Sequence, residues 1–562
     1  MTFRPRLLKV LLAPLLATLV PAAAQAQCEG PVLLAPAGLE GDHLGGAVAL
    51  DGDRALVSAP GEAAGAPGSG AVHVFRRQGF TWTQEQLLVR PVPGPNYEFG
   101  SAVALNGDLA VCGVPFDGDQ AFWTGSVEVF RFDGTTWQHE QRLTASDASS
   151  GARFGSSVDC DGERILVGAR SEGGQFVQTG AAYVFRHDGV QWVEERKLVA
   201  PDPGVMSQFG YAVGLDGESA VIGAWRDDDG GLFSGSAYVF RDGATGWALE
   251  QKLLASDLFE FYRFGGDVTI QGDRLAVSAY EADVMGFRAG AVYVFERAGT
   301  TWTETARLTA SDTDAPENFG WAIDLDDDLI AISNRRDATP VVESGSIYLF
   351  QESGGSWTEI SKQTASTSPG GLLGQSLALS GDLVLAGAWQ SSLLSLEAGA
   401  AHLFSAGADC GPGQNLCACP SSVAPCGNGS DASTGCTNSL GQGAALRSEG
   451  SASVAAADLV LVAGGLPNRP GLFFQGDLSL GTGALFGDGL RCAGGAVVRL
   501  GVALPTAGAA SFPSSGAQPS IPAIGGALPG QTRIYQLWYR DLSGPCSTGF
   551  NTTNAVAVEW RS

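Results

Sequence analysis

Apolar and polar positions recur along this chain in a fixed beat, and one period shows what each beat encodes. From Phe154 to Cys160 apolar and small residues alternate, and Asp161-Gly162 supplies a two-residue turn. Ile165 to Ala169 is a second apolar run, followed by a loop of about ten residues. Gly180 opens a third run, Ala181 to Phe185, and a polar turn with Asp188-Gly189 leads to Trp192 and a fourth run ending at Leu198. Short apolar runs bounded by Gly and Asp read as β-strands joined by hairpin turns, so the period predicts one four-stranded antiparallel sheet. Outside the N-terminus no stretch holds a helical period over three turns.

The period occurs seven times. Its anchor reads Leu44-Gly45, Phe99-Gly100, Phe154-Gly155, Phe209-Gly210, Phe264-Gly265, Phe319-Gly320 and Leu373-Gly374, spaced 55 residues five times and then 54. Trp82, Trp137, Trp192, Trp247, Trp302 and Trp357 keep the same beat, as do Phe75, Phe130, Phe185, Phe240, Phe295, Phe350 and Phe404. These are core positions, where large aromatics pack one unit on the next. A fixed period makes each copy one supersecondary unit stacked on its neighbours. Four-stranded sheets set radially give an all-β, seven-bladed β-propeller, which leaves few exposed edges. The seventh copy lacks its tryptophan and fourth strand, while Pro31 to Pro36 (PVLLAP) matches the fourth-strand run QKLLAS at 251–256. An N-terminal strand is therefore expected to close blade seven, giving a propeller over residues 27–409.

Composition adds a compartment. Arg4, Arg6 and Lys9 flank or enter an apolar run from Leu7 to Val20, and Ala24-Gln25-Ala26 is a small-x-small site, so residues 1–26 read as a signal peptide. The mature chain is expected to be secreted or at the cell surface, with no transmembrane segment. Ten cysteines in an exported chain favour disulfides. Cys28 and Cys410 flank the missing tryptophan position from the two chain ends and are expected to bond, unless each pairs within the cysteine-rich stretch that follows. A zinc site is the alternative use of Cys417-Ala418-Cys419, although no histidine lies near it. Cys112 and Cys160 fall inside strands and read as buried thiols.

The formal charge of −26 argues against nucleic acid and anionic membranes as partners, since both need basic patches. Only Lys9, Lys197, Lys252 and Lys362 are lysines among 33 basic residues, a bias that suggests a GC-rich bacterial genome.

The pattern FGSAVAL, then LVSAP or VCGVP, then GSVEVF or GAAYVF, resembles FG-GAP repeat proteins over about residues 30 to 406. The resemblance implies a propeller of the kind that heads integrin α chains, with roles in adhesion and ligand binding. Many FG-GAP blades carry an Asp-rich calcium loop between the first two strands. Here that loop is a tight turn, as in Asp51-Gly52-Asp53, Asn106-Gly107-Asp108 and Asp216-Gly217-Glu218. Such turns offer too few oxygens for the six to eight ligands calcium takes. No metal or other cofactor is therefore expected, with Asp324, Asp326, Asp327 and Asp328 as the one acidic run where a metal is the alternative. The shortened turn resembles a bacterial branch of the family whose members mostly lack an assigned activity.

Loops after the second and fourth strands emerge on one face, and they are the long, variable ones, so this face is the candidate binding surface. Comparison of the copies singles out the residue ending the second strand: Pro60, Pro115, Arg170, Trp225, Tyr280, Arg335 and Trp389. Core positions barely change between copies, whereas this one runs from proline to tryptophan and arginine, the residues that anchor interfaces. Trp123 lies on a nearby loop. These residues either form a ligand surface or fill loop gaps over the channel mouth. Asp147, Asp202, Asp257 and Asp312 follow the fourth strand at the same spacing and are expected to bond nearby backbone amides, with a ring of metal ligands as the alternative. His73 and His402 stand where other copies have tyrosine, and His43, His139 and His187 are scattered, so no catalytic constellation is legible.

From Cys410 the beat stops. Residues 410–437 read as a cysteine-rich linker, and 438–562 alternate short apolar runs with Gly/Pro turns, which predicts a small β-sandwich. A Cys492–Cys546 bond is expected there. The run FGDGLRCAGG with YQLWYRD and a terminal NAVAVEW is similar to a module that ends many secreted bacterial proteins. The resulting expectation is a secreted, monomeric, non-enzymatic binding or adhesion protein for extracellular protein or polysaccharide. The alternative is a carbohydrate-active enzyme, a glycosidase or lyase, on the same scaffold.

Overall fold

The computed structural model describes residues 29–405, 413–416 and 435–560, apart from residues 37, 79–80, 174–176, 313–316, 338–342, 366–369, 382, 442, 450–453, 455–456, 458, 507, 514–518 and 529–530. The expected signal segment and both cysteines of the expected ring-closing bond, Cys28 and Cys410, lie outside the described residues, as do Cys417 and Cys419.

Seven four-stranded antiparallel sheets form the blades of a propeller. In blade three, Phe154–Cys160, Arg164–Ala169, Ala181–His187 and Trp192–Leu198 pair in chain order. The second strand is buried along its whole length and the fourth alternates between buried and exposed. This is the pattern of inner strands covered on both faces by neighbouring blades and an outer strand that meets water. A bulge between Val184 and Phe185 recurs at the same place in the six complete blades, for example at Val239/Phe240 and Val294/Phe295. It increases the local twist that each blade needs to fan out from the axis.

The N-terminal strand closes the ring as the sequence predicts. Glu29–Leu33 pairs with Ala400–Ser405, placing Val32 opposite His402 and Leu33 opposite Ala401. Blades are joined by single parallel bridges such as Gly180 to Phe209 and Gly235 to Phe264, and Leu44 to Gly399 carries the series across the closure. Gly180 has φ 83°, and a Cβ there would sit inside the carbonyl of Phe209, so both conformation and contact require glycine. The tryptophans bind blades through polar atoms as well as area. The Trp302 amide donates to Gln251 Oε1 at 2.8 Å and its Nε1 donates to Glu250 at 3.0 Å.

Beyond the propeller lie a five-stranded sheet, a three-stranded sheet and a hairpin. Leu461 and Phe512 of the smaller sheet share one core with Phe473, Tyr535, Leu537 and Val556 of the larger. The larger sheet takes Gly413–Leu416 as an edge strand against Gly549–Glu559, so it recruits part of the cysteine-rich stretch. Cys436, Cys492 and Cys546 are each disulfide-bonded; the first two are buried in a second small core, and the Cys546 amide donates to Asp488. No helix among the described residues is long and apolar enough to cross a membrane.

Candidate functional site

The long-loop face is built on a rim that repeats seven times. The residue before each anchor, His43, Glu98, Arg153, Gln208, Arg263, Asn318 or Leu372, has φ between 53° and 65°. Left-handed backbone costs a non-glycine residue roughly 1–2 kcal/mol. Each of these amides donates to the carbonyl of a second left-handed residue on the neighbouring blade's loop, for example Arg153 to Trp123 at 3.1 Å and Arg263 to Phe233 at 3.3 Å. Repetition in every blade marks this conformation as scaffold. Its effect is to hold the side chains of Arg153 and Arg263 in fixed places at the mouth of the central channel.

Four aromatic rings run along that mouth. Tyr211 and Trp225 have centroids 5.0 Å apart, Trp225 and Tyr280 6.4 Å, and Tyr280 and Trp321 5.1 Å. Trp225 and Tyr280 end second strands, whereas Tyr211 and Trp321 follow anchors. In the blade that carries Tyr280 the position after the anchor is Gly266, where a Cβ would strike the tyrosine ring. Arginines cover the row. Arg335 lies 3.3 Å from the Trp321 centroid and donates Nη1 to Gln375 Oε1 at 3.0 Å. Arg170 stacks on Tyr211 at 5.4 Å, and Arg226 and Arg263 lie 4.4 and 4.5 Å from Trp225. Such contacts are attractive electrostatically and stronger when desolvated. Tyr280 is buried, while Arg170, Tyr211, Trp225, Trp321 and Arg335 are half-buried and keep part of their surface open.

The charge of this arc is weakly compensated. Arg263 pairs with Glu281 at 3.4 Å, but Arg153, Arg170, Arg226 and Arg335 make no ion pair among the described residues. Arg226 Nε, Arg263 Nη1, Arg335 Nε and Trp389 Nε1 are buried donors without an acceptor there. Burial and the neighbouring Arg336 lower the Arg335 pKa to about 10, and burial with Arg263 lowers that of Arg226. Glu98 is the acid closest in effect to Arg153 and Arg170, and its burial raises its pKa against their pull.

Of the residues singled out in the sequence, Arg170, Trp225, Tyr280 and Arg335 therefore come together. Trp389 is placed elsewhere on the mouth, against His43 at 5.1 Å. Trp123 is a rim residue, stacked on Phe122, edge-to-face with Phe116 and under Arg153, beside a cavity of about 510 Å³ lined also by Tyr97 and Glu98. Tyr211, Arg226, Arg263 and Trp321 were missed. Three of them flank the anchor, Arg263 before it and Tyr211 and Trp321 after it, at positions that vary as widely as the chosen one: the position after it reads Gly46, Ser101, Ser156, Tyr211, Gly266, Trp321 and Gln375.

Other expectations resolve into scaffold. Asp147, Asp202, Asp257 and Asp312 act chiefly between blades: each accepts the hydroxyl of a tyrosine in the next blade, as Asp257 does from Tyr293 at 2.7 Å, and pairs with a basic residue of that next blade's fourth strand. A phenol between strands can satisfy a carboxylate that a turn amide would otherwise take. Blade two carries Glu128 instead of tyrosine, and the end of blade one supplies Arg90, which binds Glu128 at 2.9 Å and Asp117 at 2.7 Å. The hairpin-turn carboxylates cap the next blade's turn: Asp51 accepts Gly107 N, and Asp326 accepts Gly381 N, both at 2.6 Å. Cys112 and Cys160 are buried free thiols. Inside the channel, Asp159, Asp267 and Asp324 each accept backbone amides of the next blade, from Leu215, Ile323 and Leu379. Burial outweighs these bonds and raises their pKa values to about 7, 7 and 6.

Five stretches, residues 31–75, 137–185, 192–240, 247–295 and 302–350, match the FG-GAP repeat family. The first begins in the ring-closing strand. No curated protein matches the chain.

Proposed function

We propose that this chain, an FG-GAP repeat protein, is an exported, non-enzymatic binding protein whose long-loop face takes an extracellular polysaccharide or protein. The observation that carries the reading is the row Tyr211, Trp225, Tyr280 and Trp321 with arginines stacked upon it, partly open at the channel mouth. Aromatic and arginine side chains held rigid at a surface are the anchors that binding sites use, because they contribute large contact area at small entropic cost. Of the nearby acids, Glu281 is engaged by both Arg263 and Arg288, which suits a binding surface. The test is a glycan and cell-surface protein array probed with residues 27–562, with the Trp225→Ala/Trp321→Ala variant and with EDTA. Binding that the double substitution abolishes and EDTA leaves intact is the expected result. Binding retained by the variant would move the site away from this face, and turnover of a bound glycan would replace binding with catalysis.

A further inference from the structure

Resting on that reading, we infer that the ligand of the long-loop face is an acidic polysaccharide, whose sugar rings lie on the aromatic row and whose carboxylate or sulfate groups meet Arg226, Arg263 and Arg335. Three independent observations converge on this chemistry.

The first is charge. The chain carries −26 overall, yet its arginines gather at this mouth with Glu98, Glu281 and Glu343 as the acids among their charged neighbours. Acids are abundant enough that pairing every arginine would cost nothing in composition, and elsewhere in the propeller arginines such as Arg90, Arg131, Arg164 and Arg297 are paired. The second is hydrogen bonding. Arg226 Nε, Arg263 Nη1 and Arg335 Nε are shielded from solvent and lack acceptors among the described residues. A half-buried guanidinium without an acid partner is costly, so the Arg226 and Arg335 side chains, which make no ion pair among the described residues and keep part of their surface open, call for an anion from outside. Guanidinium groups match planar carboxylates and sulfates with paired hydrogen bonds. The third is shape. Tyr211, Trp225 and Trp321 keep part of their surface open and, with the buried Tyr280 between them, form a row that crosses blades four to six, longer than any single anion needs. The apolar face of a pyranose packs on such rings, and a polymer of acidic sugars presents ring and anion alternately. An acidic peptide would use the arginines but not the row.

The experiment is isothermal titration calorimetry with residues 27–562 against hexagalacturonate, its fully methyl-esterified form and a sulfated oligosaccharide, at low and high salt. The variants are Arg335→Gln, Arg226→Gln, Trp225→Ala and, on the opposite face, Arg131→Gln, each checked by thermal melting. One acidic probe is expected to bind, its neutral counterpart at least about tenfold more weakly, with a comparable loss in Arg335→Gln or Arg226→Gln and none in Arg131→Gln. Equal binding of acidic and esterified sugars, or loss in Trp225→Ala alone, would overturn the acidic class while leaving the binding face in place. No binding of either acidic probe by a chain that still binds on the array would do the same. Binding indifferent to both Trp225→Ala and Arg335→Gln would overturn the face itself.

Discussion

The two ends of the propeller use arginine in opposite ways. On the short-turn face several arginines are clasps between strands or blades. Arg297 grips Glu250 with two bonds, 2.6 and 3.1 Å, and also reaches Asp273. Arg164 joins Asp242 and Glu195, and Arg131 joins Asp108 and Glu140. The depression on that face, about 800 Å³, mixes Arg274 and Arg297 with Asp216, Asp273, Glu296 and Asp328. At the long-loop mouth the arginines lie on aromatic rings, and several of their donors have no acceptor. Paired charges hold a structure together, whereas unpaired buried charges destabilise it unless a ligand completes them. The comparison separates positions that serve the fold from positions that serve a partner.

Four measurements bear on this contrast. Trp321→Ala should weaken polysaccharide binding most, by about 30-fold or more, with a smaller change in melting temperature. A titration and a melt on the same sample check it, and a collapse of stability with no separate binding defect would erase the distinction between the faces. Arg297→Ala should do the reverse, lowering unfolding free energy by about 2 kcal/mol in denaturant titration while leaving affinity unchanged, because it strands the nearly buried Glu250.

A third measurement concerns the channel that connects the mouths. Asp159, Asp267 and Asp324 have folded-state pKa values raised from 3.8 to about 7, 7 and 6, so the folded chain holds more protons than the unfolded chain between those limits. Their contribution to stability is fully present below pH 4 and is lost as pH rises toward 7. Asp267→Asn should flatten that slope in melts taken from pH 4 to 8; an unchanged profile would remove this carboxyl as a cause. The smallest effect is expected from Arg226→Met, which removes a buried unpaired donor and a charge beside Arg263 while keeping an apolar stem. It should raise stability by about 0.5–1 kcal/mol without ligand, the opposite sign from Arg297→Ala.

Much of the fold was legible because repetition is itself a structural statement. The 55-residue beat gave the blade count, and the match between PVLLAP and QKLLAS gave the closing strand, since an identical environment selects an identical pattern. The site was legible in part, because divergence at one position of the repeat exposed Arg170, Trp225, Tyr280 and Arg335. The rest was hidden by scanning only that position. Tyr211 and Trp321 reach the row from the inner strand of their own blades, and nothing in linear spacing tells which flanking position points to the mouth. Trp123 was drawn in by residue type, although its backbone belongs to the rim. The recurring Asp147 series was assigned to turns because local capping is the commoner use of an aspartate, and its tyrosine partner lies 36 residues ahead in the next blade.

The sequence by itself determined the unit, its number and its order, because strand length, turn chemistry and glycine placement are local and were repeated seven times. Only the tertiary structure decided which charges are spent within the molecule and which remain available. Pairing depends on which blade faces which, so Arg297 finds Glu250 while Arg226 finds a ring and no acid. That difference arises from the radial packing of the blades, which brings residues about one repeat apart to within hydrogen-bond distance and leaves the mouth at the axis as the place where seven varied side chains converge.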